Sequence, residues 1–243
     1  MKLVAAAAIA TTLVIVLGFI MVSPIFLNPV QVESKQRIML SFSISESDDV
    51  VTWCKNLSAI LSEYDLSATA FIVGKVAEQH PECVRCFSNK VDIGSQTYSN
   101  SNLTSISNYE AQLTEVRKGK LAVETAGNLL SKVFMAPGKA TNQNIYSLLS
   151  QNEILADFSY DGQYNVYVGT QFLKFDAFVF EGSTCSADVI LANGETSKVT
   201  VLHFDNGCST ELIENFIESL RTGQFDFVNA SEITGLELTV RGT

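Results

Sequence analysis

The 243-residue chain contains two histidines, His80 and His203. Any chemistry that needs imidazole rests on one of them. His203 lies inside the apolar run 198–204, Lys-Val-Thr-Val-Leu-His-Phe. A histidine at such a strand end suits a general acid or base, and equally a hydrogen-bonded core position. Ser43, His203 and Asp205 would be the members of a nucleophilic triad, but no Gly-x-Ser-x-Gly turn is present to expose the serine. His80 precedes Cys83-Val-Arg-Cys86 by three residues. Zinc takes four ligands, and no second CxxC supplies the rest. Disulfides are the expected use of the five cysteines, with one thiol left over. The expected bridges run from Cys54 to Cys83 or Cys86, and from Cys185 to Cys208. Glu46, Asp48 and Asp49 offer carboxylates just after Ser43, either as ligands or as the acidic start of a helix.

These groups sit within a regular alternation. Strands are expected at 37–43, 68–73, 91–93, 132–137, 154–158, 173–180, 198–204 and 225–229. Helical spacing appears over 48–64, over 76–87 with a break near Pro81, and over 109–126 closed by Gly127. Shorter helical stretches fall at 142–150, 186–192 and 209–221. Strand–helix alternation with apolar strands predicts an α/β fold on a parallel sheet, a compact β/α barrel or a doubly wound open sheet. In a barrel, chemistry gathers at the C-terminal strand ends. This singles out Ser43, Gln96, Met135 and His203.

Acidic residues outnumber basic ones 26 to 16, giving a net charge of −10. A chain so acidic has no basic face to hold phosphates, which excludes nucleic acid as partner. From Leu3 to Leu27 the chain is apolar, and no charge occurs between Lys2 and Glu33. That run is long enough to span a bilayer and longer than the apolar core of a signal peptide, with no small-x-small site after it. The expectation is a single-pass anchor at residues 3–27 in the cell membrane, with a cleaved signal peptide as the alternative. Lys2 places the N-terminus in the cytoplasm and the body outside, where disulfides persist. Residues 1–33 then form the anchor and linker, and 34–243 the outer domain.

The order of motifs resembles the polysaccharide deacetylases of the NodB homology type (carbohydrate esterase family 4). Thr-Phe-Asp-Asp-Gly of that family is matched by Ser41-Phe42-Ser43-Ile44-Ser45, and its Ala-Thr-Phe-Phe strand by Ala68-Thr69-Ala70-Phe71. Gly94-Ser95-Gln96-Thr97-Tyr98-Ser99-Asn100 stands for Gly-Asn-His-Thr-x-x-His, with Leu103 after it. Met135-Ala136-Pro137-Gly138-Lys139 stands for Arg-x-Pro-Tyr-Gly, the fourth motif falls weakly in 157–161, and Leu202-His203 matches the fifth. The resemblance covers about residues 37–230. It implies a distorted (β/α) barrel that binds a divalent metal such as zinc and removes acetyl groups from N-acetylated sugars.

The resemblance also implies what is missing. Ser43 stands where the family has its catalytic base, and Ile44, Gln96 and Asn100 where it has its metal ligands. Met135 stands where it has the arginine that holds the base. Isoleucine has no lone pair, and neutral amides are poor donors for a transition metal. Only His203, the general acid of the family, is kept. The expected protein is therefore a degenerate, non-catalytic relative with no cofactor, binding glycan or serving structurally in the cell envelope. Two other readings remain: an active hydrolase of carbohydrate amide bonds with a rebuilt metal site, and an accessory subunit of a membrane complex.

Overall fold

The computed structural model describes residues 36–159, 164–168, 171–181, 186–191, 199–221 and 225–242. The expected membrane segment and Cys185 lie outside the described residues. Among these, no helix is long and apolar enough to cross a membrane.

The sheet is built around β1 (Gln36–Ile44). On one side β2 (Ala68–Ile72), β3 (Val91–Ser95), β5 (Val133–Phe134) and β6 (Ala156–Asp157) follow in parallel. Beyond β6 the direction reverses through β7 (Tyr164–Val168), β8 (Gln171–Glu181) and β9 (Ser186–Leu191), each antiparallel to the last. β10 (Val199–Asp205) is antiparallel to β9 and parallel to β1, so the sheet curls back on its own first strand. The short β11 (Phe225–Phe227) joins the start of β1, while β4 (Leu129–Ser131) and β12 (Thr239–Arg241) form a separate pair. Helices α1 (Val50–Glu63), α2 (Gly74–Gln79), α3 (Glu82–Arg85), α4 (Tyr109–Gly127), α5 (Gln143–Gln151), α6 (Thr210–Arg221) and α7 (Ala230–Thr234) connect the strands.

Three expectations are corrected. Residues 186–191 are strand, not helix. The run Val189-Ile190-Leu191 fits either period over so short a stretch, and strand partners on both sides decide it. The expected strand 132–137 is shortened to Val133–Phe134, because Lys132 donates its N–H to the Leu238 carbonyl outside the curled sheet and a helical turn begins at Pro137. Helix α4 runs through Gly127 and is closed by Asn128, whose left-handed φ of 49° and N–H to the Glu124 carbonyl complete the last turn.

Alternation along the strands sorts the core into two layers. Ile38, Leu40, Phe42 and Ile44 of β1, with Ala68, Ala70 and Ile72 of β2 and Leu202 and Phe204 of β10, face outward onto the helices. Met39, Phe71 and Val201 face inward with Val133, Met135 and Phe158. In the outer layer Phe42 stacks on Phe204 at 5.8 Å and meets Trp53 edge-on at 6.3 Å. Trp53 also donates its indole N–H to the Cys208 carbonyl at 2.7 Å, tying α1 to the start of α6. Each such buried ring contributes roughly 1.5–3 kcal/mol by removal from water.

Candidate functional site

At the C-terminal ends of β1, β3, β5 and β10 lies a cleft of about 680 Å³. It is lined by Ser43, Gln96, Asn100, Met135 and His203, together with Lys139, Asp205 and Asn206. Five of the six positions singled out from the sequence are thus brought together. Ile44 is not among the lining residues. It is the last residue of β1 and has the parity of Phe42, so its side chain is wholly buried against the helices. Ser45, one residue further on, lines the cleft instead.

Ser43 is held by neutral contacts. Gln96 donates from Nε2 to the Ser43 hydroxyl at 2.8 Å and to the Phe71 carbonyl at 3.2 Å. The Ser43 hydroxyl donates onward to the Met135 sulfur at 3.6 Å. Gln96 is placed by the packing of α4 on the loop after β3. A Cβ on Gly119 would collide with the Gln96 carbonyl oxygen, so only glycine permits that approach. The same loop, which carries Asn100 at φ 60°, is pinned to α4 by Glu115, which accepts from the Ser99 N–H and hydroxyl at 2.9 Å each. On the opposite rim Asn206 clamps the end of β1. Its side chain accepts from the Ser45 N–H at 3.1 Å and donates to the Ser45 carbonyl at 2.9 Å.

His203 is 6% exposed and its Nδ1 lies 2.9 Å from the Ser41 hydroxyl. Burial, with Lys139 adding to it, pushes the imidazole down to about 3, so the ring is neutral at physiological pH. Lys139 follows Gly138 in consecutive left-handed turns, φ 65° and 58°. Burial lowers its ammonium to about 8, against an opposing pull from Asp205. Behind the wall, Asp157 is fully buried. It accepts from the Ser159 hydroxyl at 2.5 Å and N–H at 2.9 Å, and burial raises its carboxyl to about 7. Ser159 in turn accepts from the Ala136 N–H at 2.6 Å, so this network supports the Met135–Lys139 loop.

The donor set does not suit a divalent ion. Ile44 faces away, the inward end of Gln96 is an N–H donor, and Lys139 already brings a positive charge to the cleft. Among the described residues, no three histidines, cysteines or carboxylates gather where they could hold a metal. The carboxylates Glu46 and Asp205 line the cleft without such a set, and Asp48 and Asp49 lie at the approach to α1, with Asp49 at its N-cap position. Lys139 and Asn206 were not identified from the sequence. Lys139 carries a weak signal there, two residues after Pro137, but its left-handed backbone has none. Cys54 and Cys83 are bonded, Cys86 is a free thiol, and Cys208 takes part in a disulfide.

Residues 31–156 match the polysaccharide deacetylase family. No curated protein matches the chain. Among solved structures, a putative polysaccharide deacetylase from Mycobacterium smegmatis superposes with a TM-score of 0.59 at 17% identity, over 85% of this chain and 92% of that one. The peptidoglycan deacetylase PdaC from Bacillus subtilis gives 0.56 at 14% identity, over 83% and 91%. A CE4 family pseudoenzyme from Bacillus anthracis gives 0.57 at 12% identity, over 83% of this chain and 66% of that one, so the chain spans about two thirds of that protein's length.

Proposed function

The chain belongs to the polysaccharide deacetylase family, and from that premise we propose that it is a non-catalytic member whose cleft binds glycan in the cell envelope. In this reading the curled sheet is the family's distorted (β/α) barrel, carried outside the cell by a membrane anchor at residues 3–27. The observation that carries it is the chemistry of the cleft. Where a hydrolase needs a charged base and a metal, Ser43, Gln96 and Met135 form a closed, neutral chain of contacts. The nearby imidazole is neutral and turned to Ser41. Other polar groups that line the cleft, Asn100, Lys139, Asp205, Ser45 and Ser47, are of the kinds that bind sugar hydroxyls and amides. That another protein of this fold is described as a pseudoenzyme supports the idea that the fold tolerates loss of its catalytic groups.

The test is retention of the detergent-solubilised full chain on insoluble peptidoglycan and on chitin. Retention released by soluble oligomers is expected, and weakened about tenfold by Asn100→Ala, the effect of one lost hydrogen bond. A chain that passes through both polymers unretained overturns glycan binding. For the anchor, protease added to intact cells should digest residues 34–243, and protection of those residues overturns the orientation.

A further inference from the structure

The CxxC left unused by the cleft lies on the far side of the sheet, between α1 and α3. Cys54 of α1 is bonded to Cys83 of α3, with Cα atoms 5.3 Å apart. Cys86 follows three residues later, at the end of α3, and is half-buried with a free thiol. Its sulfur lies 3.6 Å from the Cys54 carbonyl oxygen, on the residue that forms the bridge. The Cys83 sulfur lies 3.5 Å from the Val50 carbonyl oxygen, one turn earlier on α1. Each of the two α3 sulfurs therefore has a carbonyl of α1 within reach as a thiol acceptor, whichever of them is left unpaired.

We propose that these three cysteines form a thiol–disulfide exchange site in which Cys54 alternates between Cys83 and Cys86. The Cys86 thiolate attacks the Cys54 sulfur. The Cys54–Cys83 bond breaks, the Cys54–Cys86 bond forms, and the electron pair leaves on Cys83. Cys83 then takes up a proton in place of the one Cys86 released. One thiol and one disulfide are present before and after, so no oxidant or reductant is consumed. The two bridges span 29 and 32 residues, so chain entropy favours neither. Burial raises the Cys86 thiol to about 11, helped by Glu82 and opposed by the Ser58 hydroxyl and by Lys55. Exchange is therefore slow at neutral pH and faster in mild alkali, where more thiolate is present. Pro81 and Arg85, on either side of Cys83, line a second cleft of about 600 Å³ with Tyr98 and Lys118. Moving the tether along α3 shifts that wall.

The test is thiol trapping on the purified full chain. Protein held at pH 9 is quenched in acid at intervals, alkylated with N-ethylmaleimide and digested with trypsin without reduction. Cleavage after Arg85 separates Cys83 from Cys86, so the labelled position and the cross-linked pair are read directly. Label is expected on Cys86 at the start. It should then appear on Cys83 over minutes to hours, together with a Cys54–Cys86 cross-link, and reach a plateau. Label confined to Cys86 at every time overturns the proposal. Cys83→Ser gives a second reading: incubated with oxidised glutathione, which is reduced as the two thiols are oxidised, the variant is expected to form the Cys54–Cys86 bridge, and two thiols that stay free in a folded variant contradict it.

Discussion

Gln96 and Ser43 are joined by a 2.8 Å hydrogen bond in which the amide N–H is the donor. The direction of that bond decides what the cleft can hold. A side chain that presents its N–H to the centre offers no oxygen to a cation, and a neutral serine hydroxyl is too weakly basic to take a proton from water near neutral pH. The two residues come from β1 and from the loop after β3, 53 positions apart. Strand pairing and the Gly119 contact fix them together. The neutral core of the cleft is thus a product of the fold's own framework.

Strand parity at the end of β1 predicts unequal responses at adjacent residues. Ile44→Asp places a carboxylate in the helix-facing layer with no partner. It should lower unfolding stability by about 3 kcal/mol or more, if the chain folds at all. Ser45→Asp, at the cleft, should cost less than about 1.5 kcal/mol, mainly the hydrogen bond from the Ser45 hydroxyl to Asn206 at 3.0 Å. Urea titrations of the two variants check this, and equal losses would place Ile44 wrongly.

His203 and Asp157 give opposite pH dependence. The folded imidazole sits near 3 rather than 6.5. The unfolded chain therefore takes up a proton first, and stability is lost as pH falls from about 6.5. The folded Asp157 carboxyl sits near 7 rather than 3.8. The unfolded chain releases that proton first, so stability is lost as pH rises from about 4 toward 7. Between pH 4 and 6.5 the two slopes offset. Relative to the unmodified chain, Asp157→Asn should lose about 1.4 kcal/mol per unit on acidification across this window. His203→Gln should lose a similar amount on alkalinisation. Parallel curves for all three proteins contradict the assignment.

The sequence made much of this legible because the apolar period is strong where both faces of a strand are covered. Residues 36–44, 68–72 and 199–205 were read correctly within a residue or two. Residues 186–191 were misread because six residues with three apolar neighbours carry no decisive period. The cleft was legible as a set of strand ends, which singles out Ser43, Gln96, Met135 and His203, whereas Asn100, on the loop after β3, comes only with the motif resemblance. Ile44 was misplaced because motif matching treats neighbouring residues as equals, whereas a strand turns them to opposite faces. Asn206 escaped because its clamp on Ser45 joins residues 161 positions apart.

Removal of the α1–α3 bridge should be felt in global stability. Closing a loop of 29 residues is worth about 3–4 kcal/mol in the chain-entropy model. Replacing Cys54 with alanine should lower the urea midpoint accordingly. Peptide mapping of the unmodified, unreduced chain should also recover Cys208 cross-linked to Cys185. Recovery of Cys208 with any other cysteine contradicts the pairing read from the sequence.

The most direct test of the central claim is metal analysis of the purified full chain alongside acetate release from N-acetylated chitin and peptidoglycan oligomers. The neutral Ser43–Gln96–Met135 arrangement predicts no stoichiometric zinc, cobalt or nickel, and acetate release no faster than in buffer, because a water without a metal keeps its pKa near 15.7. Near-stoichiometric metal, with turnover that a chelator abolishes and the metal restores, would contradict it and make the chain an active deacetylase with a rebuilt site.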